Sequence, residues 1–171
     1  MKKFLAVILV LSLCLSFSAC MIEDIPTKEQ ADGQLETVNK EEKFGLNETA
    51  AFKELKFTAT EFRESDGTDF FVPEEGNVFV GAKFTIENIS NEEQAVSTLL
   101  LFEGYVDDVK CDYSFSAACV FDEGTLDGTI APGKKLVGWC ALEVPENWSN
   151  IELQVQSNWL SNNSAKFVFT K

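Results

Sequence analysis

The side chains that could do chemistry in this sequence are five cysteines and two groups of carboxylates. The chain contains no histidine. Histidine is the commonest general base near neutral pH and the commonest ligand of transition metals in proteins. Ser-His-Asp, Cys-His and His-zinc chemistries are therefore excluded, and the remaining candidates are thiols, acids and aromatic rings.

Cys20 follows a segment with the features of an export signal. Two lysines open it, and residues 4–15 form an apolar run shorter than the ~18–20 residues that span a membrane. Small residues lead to Cys20, with Phe17 three positions before it. The segment resembles bacterial lipoprotein signals, which implies cleavage before Cys20 and acylation of its thiol. The alternative is a plain secretory signal followed by an ordinary cysteine.

The mature chain from Cys20 is strongly acidic. It keeps all 28 acidic residues and loses two of the 14 basic ones, which gives a formal net charge of −16. Such a surface repels phosphates, so we expect no nucleic-acid partner and no electrostatic attraction to anionic lipids. Attachment to a membrane must then come from acyl chains on Cys20, at about 0.8 kcal/mol for each buried methylene.

The sequence divides into three parts: a signal peptide over residues 1–19, a tether over 20–43 and a folded domain over 44–171. The tether is polar, acidic and without sustained periodicity, which is typical of disorder. In the domain, short alternating segments are separated by turns. Apolar residues at 78, 80, 82, 84 and 86 predict a strand with one core face, and the alternation from Leu55 changes register near Thr60 or Glu61, which predicts a bulge.

Further segments complete an all-β pattern. Residues 94–106 read as one strand, with 99–102 apolar on both faces as in the middle of a sandwich. Asp107-Asp108 predicts a hairpin turn into a strand over residues 109–115, which a long connection over 116–128 follows. Pro132-Gly133 predicts a type II turn. We predict an all-β, immunoglobulin-like β-sandwich of about seven to nine antiparallel strands.

Several fragments carry a family resemblance: FGLNETAAF, FVGAKFTIENISNEEQAVS, FEGYVDD, LDGTIAPGKKLVGW and LEVPENW. From Phe44 to the C-terminus the chain resembles the telokin-like, immunoglobulin-fold domain of unknown function found in exported lipoproteins of Gram-positive bacteria. The resemblance implies a β-sandwich displayed on the extracellular face of the cytoplasmic membrane. It transfers no active site and no cofactor.

The carboxylates form two clusters in the sequence: Asp107, Asp108 and Asp112, then Asp122, Glu123 and Asp127. Calcium binds about 6–8 oxygen ligands, but this spacing matches no calcium loop, so we predict solvated turns and no metal. Glu103 with Asp107 could act as an acid/base pair on a glycan. An envelope glycan hydrolase using such paired carboxylates is therefore the alternative function.

Three cysteines remain after Cys20 is acylated, which permits at most one bridge within the chain. Cys140 alternates with apolar residues, which places it on the core face as a buried thiol. The candidate disulfide is then Cys111 with Cys119, although Cys111 with Cys140 stays open. Without histidine, none of these cysteines has the usual partner of a catalytic thiolate.

Aromatic residues supply the candidate ligand contacts. Trp139 and Tyr105 could belong to a platform for sugars or for a protein partner. Trp139 lies on the opposite face of its strand from Cys140, where packing beneath a neighbouring loop is the alternative. The sequence as a whole predicts a lipid-anchored binding module, not an enzyme, without cofactors and with an unknown protein or glycan partner at the cell envelope.

Overall fold

The computed structural model describes residues 24–29, 35–37, 42–121, 124–160 and 163–171. The predicted signal peptide, Cys20, and the acids Asp122 and Glu123 lie outside the described residues. Within them, the chain forms thirteen strands and two short helices. In chain order these are β1 Thr27–Glu29, β2 Leu35–Thr37, β3 Lys43–Phe44, β4 Thr49–Ala51, β5 Leu55–Ser65, β6 Asn77–Asn88, β7 Gln94–Val96, α1 Thr98–Leu101, β8 Phe102–Val106, β9 Val109–Cys111, α2 Phe115–Val120, β10 Gly128–Ile130, β11 Lys135–Pro145, β12 Asn150–Val155 and β13 Ala165–Thr170.

The strands form two main sheets that pack face to face. One sheet has the order β11-β6-β5-β4-β1-β2 and the other β3-β13-β12-β8-β9, while β10 and β7 pair separately. All of these pairings are antiparallel except that of β3 with β13. The prediction of an all-β sandwich is confirmed. The strand count exceeds the expected seven to nine because seven strands have only two or three residues.

Strand β6 lies between the two other long strands of the larger sheet, β11 and β5. Its alternate residues from Val78 to Ile86 face the space between the sheets, and each is at most 6% exposed. On one side β6 pairs with β11 along eleven residues. On the other side it pairs with β5, which has the predicted register change between Ala59 and Glu61. The change turns Phe62 inward, where its ring stacks on Phe169 at 4.5 Å.

The N-terminal strand β1 lies inside the segment predicted as a tether. It pairs with β4, and Thr27 Oγ1 donates a hydrogen bond of 3.0 Å to the carbonyl of Ala51. Lys28 Nζ lies 2.7 Å from a Glu48 carboxylate oxygen. These residues, which were predicted as part of a disordered tether, thus form a strand between β4 and β2, held by backbone hydrogen bonds that its polar composition does not reveal.

Residues 94–106 are not one strand. Thr98–Leu101 forms a single helical turn, α1, which leaves Leu99 73% and Leu100 62% exposed. The Asp127 carboxylate holds this turn: it accepts hydrogen bonds from the Thr98 backbone nitrogen at 2.9 Å and from Thr98 Oγ1 at 3.2 Å. The prediction of a continuous buried strand is therefore wrong at its centre, although the chain re-enters the core at Leu101 and Phe102.

Helix α2 lies where a strand end and a loop were expected. Ser114 Oγ accepts a hydrogen bond from the Ala117 backbone nitrogen, which caps the first turn. The helix packs on the outer face of the larger sheet, opposite the main core. There it completes a second apolar cluster that comprises Phe79, Ala117, Phe121, Trp139 and Ala141.

The two predicted turns are present. Asp107 and Asp108 have φ angles of 47° and 67°, which suit the tight hairpin between β8 and β9. In the second turn the Lys134 backbone nitrogen donates to the Ala131 carbonyl at 3.0 Å, and Gly133 has φ of 68°. Proline followed by a glycine with positive φ is the type II arrangement that the sequence predicted.

Strand β11 would be an open edge of the larger sheet, but other segments cover it. Tyr113 forms an antiparallel bridge with Leu142, and Thr125 a parallel bridge with Trp139. The Ser114 backbone nitrogen also donates to the Ala141 carbonyl at 2.9 Å. These contacts join the two sheets on the side where β9 and β11 meet.

Among the described residues, no helix is both long enough and apolar enough to cross a membrane.

Candidate binding site

Trp139 is not available as a ligand contact. Its side chain is only 1% exposed, with the Phe121 ring stacked at 5.0 Å and the Arg63 guanidinium 4.3 Å from its centroid. The indole Nε1 is buried and has no hydrogen-bond partner in the described part of the chain. The prediction of Trp139 as a ligand contact is therefore wrong. The alternative was packing beneath a neighbouring segment, and this is what the structure shows: α2 and the residue after it cover the Trp139 side chain.

Tyr105 lies half-buried on the outer face of the five-stranded sheet. Its hydroxyl donates a hydrogen bond of 3.1 Å to Glu103 Oε2, and Lys110 Nζ lies 3.5 Å from Glu103 Oε1. The hydrogen bond to Glu103, then burial and the charge of Glu103, raise the pKa of Tyr105. Tyr105 therefore stays protonated, and its position leaves part of the ring open to a partner.

Two adjoining cavities flank strand β9. The first has a volume of about 200 Å³ and lies towards β8 and β11; the second, of about 360 Å³, lies towards the Asp107-Asp108 turn. Both contact Lys110 and Cys111. The first is lined by Leu99, Phe102, Glu103, Gly104, Lys110, Cys111, Asp112, Tyr113, Cys140 and Leu142, and the second by Val106, Asp107, Val109, Lys110, Cys111, Pro145 and Asn147.

Exposed apolar side chains surround these cavities. Val109 is 68% exposed and Leu99 73%, and each contributes to the wall of one cavity. Phe115 is 71% exposed and follows Tyr113 and Ser114 at the start of α2. Sequence reasoning missed this arrangement, because Leu99 was expected in the core and residues 109–115 were expected in one strand.

The structure describes all three cysteines as free. The predicted bridge between Cys111 and Cys119 is therefore absent from it; Cys111 ends β9, whereas Cys119 is exposed on α2. Cys140 lies on the core face, where the alternation placed it, and burial raises its pKa to about 12. Burial, followed by the charges of Asp112 and Glu143, raises the pKa of Cys111. Both thiols line the first cavity in their protonated, weakly nucleophilic form.

The carboxylates proposed as an acid/base pair have different partners. Glu103 bonds Tyr105 and Lys110 on the sheet face. Asp107 accepts hydrogen bonds from the backbone nitrogens of Ser149 at 3.1 Å and Asn150 at 2.9 Å, which stabilises the turn. In the part of the chain that the structure describes, no three acidic or cysteine side chains converge as a metal site.

Solved structures from two bacteria share this fold. A conserved hypothetical protein from Bacillus anthracis aligns with a TM-score of 0.54 at 14% identity, over 72% of this chain and 94% of its own. A candidate lipoprotein from Bacillus subtilis, ycdA, aligns with a TM-score of 0.55 at 14% identity, over 68% of this chain and 36% of its own. This chain thus spans about a third of the ycdA protein. At such identities the likeness shows the fold alone.

No curated protein matches this sequence. The family comparison, in contrast, covers most of the folded domain: residues 44–166, from β3 into β13, match the DUF4352 family, described as a domain of unknown function. With nearly three quarters of its length inside that match, the chain belongs to the DUF4352 family of domains of unknown function.

Proposed function

We propose that this protein is a lipoprotein, anchored through Cys20 on the extracellular face of the cytoplasmic membrane, whose immunoglobulin-like β-sandwich binds a partner at the cell envelope. The signal-like segment before Cys20 supports the anchor. The fold shared with a candidate Bacillus subtilis lipoprotein is consistent with it.

The observation that carries the binding role is the surface around β9, which we call the hairpin surface: the two cavities, with Leu99 and Val109 in their walls, and Phe115, which follows the wall residue Tyr113 by two positions. Exposed apolar groups next to concave surface, with a few polar groups at fixed positions, are typical of recognition sites. Lys110 and Tyr105, both tied to Glu103, supply such polar groups. The surface suits one or two inserted side chains.

Charge indicates the kind of partner. The mature chain has a net charge of −16, and the hairpin carries Glu103, Asp107, Asp108 and Asp112 against one cation, Lys110. A basic segment of an exported protein, with an apolar side chain to enter a cavity, complements this surface in both respects. A glycan would match the half-buried Tyr105 but would leave Leu99 and Phe115 without apolar contacts.

A glycan hydrolase has less support. Retaining and inverting mechanisms need two carboxyl groups on either side of one sugar linkage, at separations of about 5–10 Å. Here the Glu103 carboxylate accepts hydrogen bonds from Tyr105 and Lys110, and the Asp107 carboxylate accepts them from backbone nitrogens of the turn before β12. Glu103 lines the first cavity and Asp107 the second, so the two carboxylates do not share the wall of one cleft.

The anchor and the binding role are tested separately. Mass spectrometry of the protein from its membrane should show Cys20 as the first residue with acyl chains attached, whereas Cys20→Ser should be released unacylated. For binding, the protein is crosslinked in the envelope and the captured partner is compared between the native chain, V109D and F115S. Phe70, which is 90% exposed in the loop between β5 and β6, supplies the control variant F70S.

We expect the same partner with the native chain and F70S, its loss with V109D and F115S, and weaker capture at high salt because the attraction is partly electrostatic. Capture that is unchanged by both hairpin variants would overturn the binding role of this surface. Retention of a cell-wall glycan in place of a protein would overturn the assignment of the partner.

A further inference from the structure

We propose that one end of the sandwich rests on the membrane, with Trp159 and Leu160 inserted at the lipid–water interface. This end, which we call the anchor end, consists of α1, the residues 157–160 after β12, and Asp24. The inference rests on the proposed acylation of Cys20. In this arrangement the domain is in direct contact with lipid and is not held away from the bilayer by a tether.

The anchor end brings together two exposed apolar segments. The Gln156 backbone nitrogen donates a hydrogen bond of 2.9 Å to the Leu101 carbonyl, which places the loop after β12 beside α1. Trp159 is 67% and Leu160 71% exposed, and the neighbouring turn leaves Leu100 62% exposed. Three large apolar side chains outside the hairpin surface therefore face solvent at one end of the five-stranded sheet.

Asp24 connects this end to the anchor. Its carboxylate accepts a hydrogen bond of 2.8 Å from the Lys53 backbone nitrogen and another from Ser157 Oγ. Cys20 precedes Asp24 by four residues, which span at most ~14 Å when fully extended. An acylated Cys20 therefore keeps Asp24 within that distance of the lipid headgroups, with Ser157 in hydrogen-bond contact with Asp24 and Trp159 two residues further along the chain.

The charge pattern fits the same orientation. Although the mature chain is strongly acidic, residues 94–102 and 155–160 contain no charged side chain. The acids in contact with these segments are Asp24, which accepts a hydrogen bond from Ser157, and Asp127, which accepts two from Thr98. The two segments themselves add no Coulomb cost when they approach headgroups, and tryptophan prefers the interfacial region of a bilayer.

Tryptophan fluorescence can test the contact, because Trp139 and Trp148 are only 1% and 4% exposed. The acylated full-length protein is reconstituted into phosphatidylcholine vesicles, with or without brominated acyl chains, which quench nearby indoles. We expect the emission of Trp159 to shift to the blue on reconstitution and to be reduced by the brominated lipid. In W159F both effects should disappear.

A matched reporter at a distant site provides the control. In the W159F background, F70W introduces an equally exposed indole in the loop between β5 and β6, and we expect its emission to be the same with both lipids. If Cys20 is acylated and Trp159 is not quenched, the inference is wrong while the anchor stands. Equal quenching of both reporters would also overturn it, and an unacylated Cys20 would remove the anchor and the inference together.

Discussion

Two tryptophans at opposite ends of the sandwich have opposite surroundings. Trp148, before β12, is 4% exposed; its Nε1 donates a hydrogen bond of 2.7 Å to Glu64 Oε2, and its ring meets Phe62 edge-on at 5.7 Å. Trp159, after β12, is 67% exposed. One residue type thus closes the core at one end and is left outside it at the other.

The difference shows where the two sheets are joined. Glu64 belongs to β5 of the larger sheet, whereas Trp148 precedes β12 and Lys171 follows β13 of the smaller one. Lys171 Nζ lies 3.1 Å from the same Glu64 oxygen and 5.2 Å from the Trp148 ring. This end is therefore stabilised by contacts between sheets, and its tryptophan is structural.

Replacing Trp148 with alanine should have the largest effect. It removes the packing on Phe62 and leaves Glu64 without its indole donor. We expect a loss of about 3–5 kcal/mol in the free energy of unfolding, as for other buried aromatic residues. Urea denaturation of W148A against the native protein measures it. A loss below 1 kcal/mol would show that this end does not join the sheets.

Acid should weaken the same end by a smaller amount. The hydrogen bond from Trp148, then the bond and charge of Lys171, hold the pKa of Glu64 below its ordinary value of 4.5. Because the folded state lowers this pKa, the stabilisation is present above 4.5 and is lost as the pH falls through the folded-state value.

The measurement compares the native protein with E64Q, which keeps an acceptor for Trp148 but loses the charge. We expect the difference in free energy of unfolding between the two to be largest near neutral pH and to shrink below pH 4.5. A difference that is constant from pH 7 to pH 3 would mean that the charge of Glu64 does not stabilise the fold.

Replacing Trp159 with serine should have the smallest effect on stability. Its side chain is largely exposed, so the free energy of unfolding in solution should change by no more than about 0.5 kcal/mol. F70S supplies a control with a similar loss of exposed aromatic surface. A large destabilisation by W159S alone would mean that Trp159 packs on the domain, and the contrast with Trp148 would fail.

The fold was predictable where the sequence of a single strand determines which of its faces is buried. Alternation from Val78 to Ile86, the bulge after Ala59 and the turn at Pro132-Gly133 each depend on local chemistry, and each is present. The same alternation assigned Cys140 and Trp139 to opposite faces. It could not reveal that α2 covers Trp139, because the partner of that face comes from a separate part of the chain.

The hairpin surface was not predictable for a related reason. Leu99, Leu100 and Leu101 are identical residues in a row, and the helical turn that takes the first two out of the core is held by a contact of Thr98 with Asp127, 29 residues later. Likewise, β1 is polar in sequence and is held by backbone pairing with β4. Long-range hydrogen bonds of this kind are hard to recognise from the local pattern of polar and apolar residues.

The covered edge of β11 has a consequence for a protein confined to a surface. Lipid anchoring would concentrate copies in two dimensions, where exposed strand edges favour intermolecular pairing and aggregation. Tyr113 and Thr125 already occupy backbone groups along β11, and Ser114 bonds Ala141 between them. Under lipid anchoring, a strand of a neighbouring molecule could therefore not pair with β11 and extend the larger sheet at that edge.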